Sequence, residues 1–520
     1  MRRRTLLVSS AASLAPLDLL AGPRAFTVEE ADVATLSAAT AAGRLSSEHL
    51  VQAYLARIAD IDRRGPRLNS IIELNPEARS IARTLDAERR AGQLRGPLHG
   101  IPVLLKDNIA TGDRMHTTAG SLALATLRAP RDAQLVQRLR KAGAVVLGKT
   151  NLSEWANIRS TRSTSGWSAR GGLTRNPYAL DRSTSGSSSG SAAAVAASLA
   201  TLAVGTETDG SIVSPASICG LVGLKPTVGR ISRDGIIPIS HTQDTAGPMT
   251  RSVADAALLF GAMAGADPAD PPSQAAPELG AWTPLPDALK GARLGVARNY
   301  FTGFDEADAV IEQAIAKLRA LGAEIIDNIE LAQPAYGDAE GSVLLYELKA
   351  DLARWLREFA PESGLHSLAD MIAFNRRERA REMPWFGQEM FERADKLGGL
   401  DEAAYRDALT QCAKGARQDG LDHALDSHKL DALIAPTGGP AWLIDPVNGD
   451  HFGASFSTPA AVAGYPHLTV PAGFVRGLPM GLSFVGRPWS EWQLLSMGYA
   501  FEQATRARRP PRFTPRTVPV

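Results

Sequence analysis

The chain has 520 residues, enough for a large core and, by the usual prior, for more than one domain. Its 44% apolar and 21% charged content is that of a globular protein and excludes a disordered one. A net charge of +1, from 56 basic and 55 acidic residues, gives no electrostatic case for nucleic acid.

In chain order, MRRRTLLVSSAASLAPLDLLAGPRAF comes first: three arginines, a short apolar run, then small residues. Residues 1–26 read as an export signal, and Arg3-Arg4-Thr5-Leu6-Leu7 resembles a twin-arginine signal. A periplasmic or secreted protein is the expectation; the other reading is a basic tail on a cytoplasmic one. Residues 27–520 read as one domain. Ser46 and Ser47 can cap a helix through LVQAYLARIADID, within a helical segment at about 28–75. GIPVLLKD reads as a buried strand, AQLVQRLRKAG as a helix closed by Gly143, and AVVLGKT as the next strand. This rhythm predicts an α/β fold: a single large domain with a mixed, mostly parallel central sheet covered by helices. About 280–430 is richer in charge and helical periodicity, as in VIEQAIAKLRALGAEII, and should form a helix-rich cover. LDALIAPT, HLTVPAGF and GLPMGLSFVG then return to short apolar strands. Strand-like core at both ends favours one interleaved domain over a string of separate ones. No stretch after the N-terminal segment is apolar for ~18 residues or more, so no membrane span is expected.

Two Ser/Gly-rich stretches carry the chemistry. GSSSGS at Gly186–Ser191 runs into AAAVAASLA, so these serines adjoin buried segments and are not a tether. Gly186–Gly190 matches the G-x-S-x-G of a nucleophile elbow, but no strand precedes it in NPYALDRSTS. No Lys-Ser/Thr closes it as a phosphate loop either. Further on, GTETDGSIVSPAS places Thr208, Asp209 and Gly210 where consecutive N–H groups can form an anion nest beside the Ser211 hydroxyl. A serine alone is a weak nucleophile and needs a base. No histidine lies nearby. Lys106 ends the run IPVLLK, where burial favours a neutral amine; alternatively it reaches solvent or pairs with Asp107. Cys219 and Cys412 show no metal spacing, nor do the nine histidines.

GPLHGIPVLLKDNI, GSSSGSAAAVAA and GTETDGSIVSPASICGLVGLKPT together resemble the amidase-signature family. TAGS at Thr118–Ser121, GAVVLGKTNLSEWA at Gly143–Ala156 and AAVAGYPHLTVP extend the likeness over nearly the whole chain after the signal. Within the family, GSSSGS, TETDGSIV and TNLSEWAN look most like the bacterial peptide-amidase branch. The resemblance implies the amidase-signature fold and a Ser-Ser-Lys set: Ser211 as nucleophile, Ser187 as the bridging serine after a cis peptide bond, and Lys106 as the base. It implies backbone N–H groups around Thr208, Asp209 and Gly210 as the oxyanion site, with Ser188 and Ser189 as support. It implies an amide hydrolase that releases ammonia from a primary carboxamide, foremost the C-terminal amide of a peptide, through an acyl-enzyme. No cofactor, metal or partner protein is implied, only the amide substrate. Fatty or aryl amides are the alternative substrates, and the role of an amidotransferase-type partner is the alternative to hydrolysis. The sequence departs from the family's usual pattern at Ser185 and Ser189 (glycine), Glu207 (Asp), Asp209 (Gly) and Val213 (Arg), which leaves the acyl pocket open to difference.

Overall fold

The computed structural model describes residues 26–331 and 336–516. The expected export segment lies outside the described residues, except for Phe26.

Strands β1 (Ile71–Leu74), β2 (Pro102–Lys106) and β3 (Val145–Thr150) come first, followed by a short hairpin of β4 (Trp167–Ser168) and β5 (Gly172–Leu173). After the serine-rich run come β6 (Leu202–Glu207), β7 (Val222–Lys225) and β8 (Thr245–Thr250). β9 (Arg293–Val296) and β10 (Glu324–Ile326) open the helix-rich region, and β11 (Ala432–Pro436), β12 (His467–Val475) and β13 (Leu478–Val485) follow it. All but β4 and β5 join one 11-stranded sheet in the order β1-β3-β2-β6-β8-β7-β12-β13-β11-β9-β10. The late strand β12 lies beside β7, so both ends of the chain build one sheet in a single α/β domain, as the strand-like runs at both ends imply. The sheet is mixed. Its parallel pairs, β2 with β3 and β6 and β9 with β10 and β11, lie on either side of the middle. The helix Gln134–Lys141 is the crossover from β2 to β3, and Asp305–Ala320 that from β9 to β10. The strands between them pair antiparallel, β12 and β13 through a short hairpin and β7 and β12 across a long stretch of chain. The expected helix near Ser46 spans Ser47–Arg57, and Ser46 accepts the His49 N–H as its cap.

Every residue of β2 is buried, as a continuous apolar run in a covered parallel strand should be. Leu105 pairs with Lys149 and Lys106 with Thr150. Period-two alternation therefore turns the two lysines to opposite faces of the sheet. Lys149 donates to the Ile109 and His116 carbonyls at 2.7 and 3.0 Å and to Thr117 Oγ1 at 3.0 Å, a saturated structural position. The helix Ser189–Ala196 is buried along its whole length. Its small residues let it settle onto the sheet. A Cβ at Gly190 would lie 2.3 Å from the Ser70 carbonyl oxygen, so only glycine fits there.

The helical cover is fastened by a buried ionic cluster. Arg159 and Glu154, from the loop after β3, pair with each other, and Arg159 reaches Glu382 of the covering helix Arg379–Glu382 at 3.3 Å. All three side chains are fully buried, and Arg159 lies 4.5 Å from the Phe386 ring centre. Burial pushes Glu154 well above the usual carboxylate range, and Arg159 opposes that. Removing the arginine leaves two buried acids unpaired, which in comparable sites costs about 3–5 kcal/mol. Arg159→Ala should therefore lower the urea midpoint by that equivalent with an unchanged denaturant slope; an unchanged midpoint would mean the cluster holds nothing.

Candidate active site

Lys106 at the end of β2 is wholly buried and does not pair with Asp107, which faces Arg170 at 3.5 Å. Its Nζ instead lies 2.7 Å from Ser187 Oγ, 2.9 Å from Thr206 Oγ1 and 3.1 Å from the Thr206 carbonyl oxygen. Burial lowers the Lys106 amine to about 7, against the opposing pull of Asp244 and Glu207. A neutral amine has two N–H donors and one lone pair. Thr206 supplies the two acceptors, which leaves the lone pair for the Ser187 hydroxyl.

The Gly186–Ser187 peptide is cis, as the resemblance implies. The rest of the serine run is bonded to β6 and to its own loop. Ser188 Oγ donates to the Thr206 carbonyl at 3.0 Å, Ser189 Oγ to the Ser185 carbonyl at 2.7 Å, and Ser191 Oγ to the Val204 carbonyl at 3.1 Å. Ser188, the position a nucleophile elbow would use, is thus a fully buried structural hydroxyl.

Ser211 sits on the turn between β6 and the helix Val213–Ile218. Gly210 has φ +75°, and a Cβ there would meet Ser457 Oγ at 2.9 Å, so glycine is needed for both conformation and space. Glu207 spans the turn: its Oε2 accepts the Ile212 and Val213 N–H groups at 2.7 and 3.0 Å, leaving the Thr208–Ser211 amides to point elsewhere. Thr208 Oγ1 donates to Asp244 at 2.5 Å, and Thr458 Oγ1 donates to Asp209 at 2.6 Å. Burial raises the Asp209 carboxyl, and raises Glu340, which also faces Asp209, to about 8. The Ser188 N–H donates to the Ser211 carbonyl at 3.2 Å and brings the two serine turns together. Among the described residues the Ser211 hydroxyl makes no hydrogen bond, so it is not tied to Ser187 in this state. A cavity of about 10 Å³ lies beside Ser187, and its lining includes Thr206, Asp244, Ile236, Ile237 and Ile239.

The six residues singled out in the sequence therefore lie on two touching turns and the end of β2. Thr206, Asp244, Glu207 in its capping role and Asn108 were not legible as site residues, because no spacing motif marks them. Position was the one available signal: Thr206 and Glu207 end a buried strand that leads into the nest. His241, Glu347 and Asp351 are the one grouping among the described residues that could offer three metal ligands. The Glu347 oxygens accept from Thr242 Oγ1 at 3.0 Å and Tyr405 at 2.7 Å, and Asp351 accepts from His241 Nδ1 at 2.9 Å. Both imidazole nitrogens face carboxylates, which raises the ring's affinity for a proton.

A buried amine on a serine, next to a second serine on a glycine turn, is the equipment of a serine-type acyl hydrolase. The chain belongs to the Amidase family, whose model matches residues 49–495, and it is an amide-hydrolysing enzyme. It is 54% identical to the solved native peptide amidase from Stenotrophomonas maltophilia, with a TM-score of 0.89, covering 93% of this chain and 99% of that one. It is 40% identical over 503 residues to a probable amidase of Arabidopsis thaliana, covering 94% of this chain and 92% of the relative. It is also 40% identical over 494 residues to a glutamyl-tRNA(Gln) amidotransferase subunit of Halorhodospira halophila, covering 91% of this chain and 97% of the relative. Among the described residues no helix is long and apolar enough to cross a membrane.

Proposed function

We propose that the enzyme hydrolyses the C-terminal carboxamide of peptides, releasing ammonia through an acyl-enzyme on Ser211. The observation that carries the chemistry is the 2.7 Å contact between a buried, neutral-leaning Lys106 amine and Ser187. Neutral Lys106 takes the Ser187 proton as Ser187 takes that of Ser211, and Ser211 Oγ attacks the amide carbonyl. Backbone N–H groups from Thr208 to Ser211 receive the oxyanion, a contribution of about 3–4 kcal/mol per donor in comparable sites. The proton returns through Ser187 to the leaving nitrogen. Water then hydrolyses the ester by the same steps reversed.

The peptide as substrate rests on the 54% identity to a peptide amidase. A small pocket of about 10 Å³ beside the helix Val213–Ile218 is lined by Ser214, Ser217, Ile218, Gly438, Gly439 and Trp442. A Cβ at Gly439 would meet nothing, and the Gly439 N–H donates to the Ala454 carbonyl at 3.2 Å, which ties this wall to its own loop. Phe452 and Leu443, on the same loop, are 57% and 52% exposed. Such an open wall grades side chains weakly, since a methylene is worth only ~1–3 kcal/mol. An amidated dipeptide should release ammonia whatever its terminal side chain. The same peptide extended by one residue should stay intact, and oleamide should turn over far more slowly, all read by ammonia assay and mass spectrometry. Faster turnover of oleamide, or cleavage at an internal bond, would sink the peptide assignment and leave the amidase chemistry standing. The likeness to a tRNA-dependent amidotransferase makes ammonia release by the purified chain alone the deciding control.

A further inference from the structure

The small cavity beside Ser187 is lined by a residue whose side chain keeps an unpartnered polar atom among the described residues. Asn108 lines it and is 4% exposed. Its Nδ2 donates to Thr206 Oγ1 at 3.0 Å, and its backbone carbonyl accepts the Ile237 N–H at 2.8 Å, so the side chain is held from two sides. Its Oδ1 is buried and, among the described residues, has no hydrogen-bond partner. A buried acceptor left unmet is costly, and its place in a cavity points to a donor that comes and goes. The cavity's free volume of about 10 Å³ holds one water-sized group. An NH2 group is that size, and it brings two donors.

We infer that this cavity is the leaving-nitrogen pocket, that Asn108 Oδ1 accepts an N–H of the departing amine, and that the isoleucine wall restricts the enzyme to unsubstituted amides. The inference rests on the reading under Proposed function and names the part of the site that reading leaves open. Ser187 fixes the direction, because the group that protonates the nitrogen must face it. In the collapse of the tetrahedral adduct the C–N bond breaks and its electron pair stays on nitrogen. The Ser187 O–H proton passes to that nitrogen, Lys106 restores the Ser187 proton, and the oxyanion's electrons re-form the ester carbonyl. The product in the pocket is neutral ammonia, with three donors, of which Asn108 Oδ1 and the Ser187 oxygen accept two. Asp244 also lines the cavity, but both of its oxygens already have partners, unlike Asn108 Oδ1. Asp244 Oδ2 accepts the Ile239 and Ser240 N–H groups at 2.8 and 2.9 Å, and its Oδ1 accepts from Thr208.

Ile236 provides the means to open the pocket. It lines both this cavity and a second one of about 520 Å³, which also contains Trp355 and Phe359. Truncating Ile236 joins the two and gives an N-substituent somewhere to go. The test uses the full-length enzyme, a dipeptide amide, its N-methylamide and a fluorophosphonate probe. Wild type should release ammonia from the first and leave the N-methylamide intact. Ile236→Ala should raise the N-methylamide's kcat/KM relative to the primary amide by roughly tenfold or more, with Ile236→Val in between as the variant safest for folding. Asn108→Ala should lower kcat on the primary amide by roughly 10- to 100-fold, the value of one acceptor in a desolvated transition state. Its rate of fluorophosphonate labelling should hold, because departing fluoride carries no N–H. Equal losses in turnover and labelling would make Asn108 merely structural, and a primary-to-N-methyl ratio unmoved by either Ile236 variant would overturn the pocket. The two readings fail differently. Ammonia release without discrimination against the N-methylamide defeats the pocket alone, whereas no ammonia from any primary amide defeats the amidase reading and the pocket with it.

Discussion

Ser211→Ala is expected to reduce ammonia release by about a millionfold, the loss that follows removal of a nucleophile in serine hydrolases. Fluorophosphonate labelling should vanish with it. The reason is geometric. Ser211 is the one hydroxyl that follows the Thr208–Gly210 turn, and Glu207 holds that turn by taking the Ile212 and Val213 amides for itself. Gly210 takes the left-handed conformation the turn needs just before the hydroxyl. Ser211 is 8% exposed and not held by another group, as a nucleophile awaiting substrate should be. The rival is Ser188, which the G-x-S-x-G match would select. Its hydroxyl donates to the Thr206 carbonyl and accepts the Thr206 N–H at 3.2 Å, so it knots the serine run to β6 and has no exposure. Labelling that persists on Ser211→Ala and maps to Ser188 would reverse the assignment. Intact secondary structure and an unchanged urea midpoint in the variant are the controls, since losing one small hydroxyl from a turn leaves the core packing alone.

Much of this was legible in the sequence because it depends on local pattern. The apolar run IPVLL reads as a covered strand, which makes burial of the Lys106 that ends it one of two readings, the other being a lysine that reaches solvent or pairs with Asp107. The GTETDGS turn carries glycine where the backbone needs it. The resemblance assigned roles to Lys106, Ser187 and Ser211 but said little of their surroundings. What stayed hidden was long-range. Thr206 faces Lys106 because β2 and β6 are parallel neighbours, and nothing in either segment announces that pairing. Asp244 reaches Thr208 across a loop, and Glu382 reaches Arg159 from a helix more than two hundred residues later. Asn108 reads in the sequence as the tail of a charged strand end; only the burial of its Oδ1 without a partner marks it out. The alternation of chain direction was hidden for the same reason, since strand order is decided by which helices and loops can cover the sheet.

Lys106→Ala and Ser187→Ala should each slow turnover by roughly a thousandfold or more, and the double variant should fall little below either single one. Groups that pass one proton act as a unit, so the second removal takes away nothing that still works. The structure makes the coupling specific: Ser187 Oγ is the hydroxyl that faces the Lys106 lone pair, with Thr206 holding the other two positions around the amine. The pH dependence gives an independent measure. The working form is the neutral amine, whose buried environment sets its titration at about 7. Activity should therefore be low below that pH, rise through it, and level off above. An ordinary carboxylate base would turn on several units lower, Asp244 only about one unit lower, and an ordinary lysine near ~10.4 several units higher. Lys106→Ala should abolish the rise and leave a low, flat profile. A small primary amine added to that variant should restore part of the rate if the cavity left by the side chain admits it, and in proportion to the free base, not the ammonium. Losses that add in the double variant, or a rise that survives in Lys106→Ala, would mean the base lies elsewhere. Asp244, which burial lifts to about 6, is then the first group to examine, because it faces both Lys106 and the Thr208 turn.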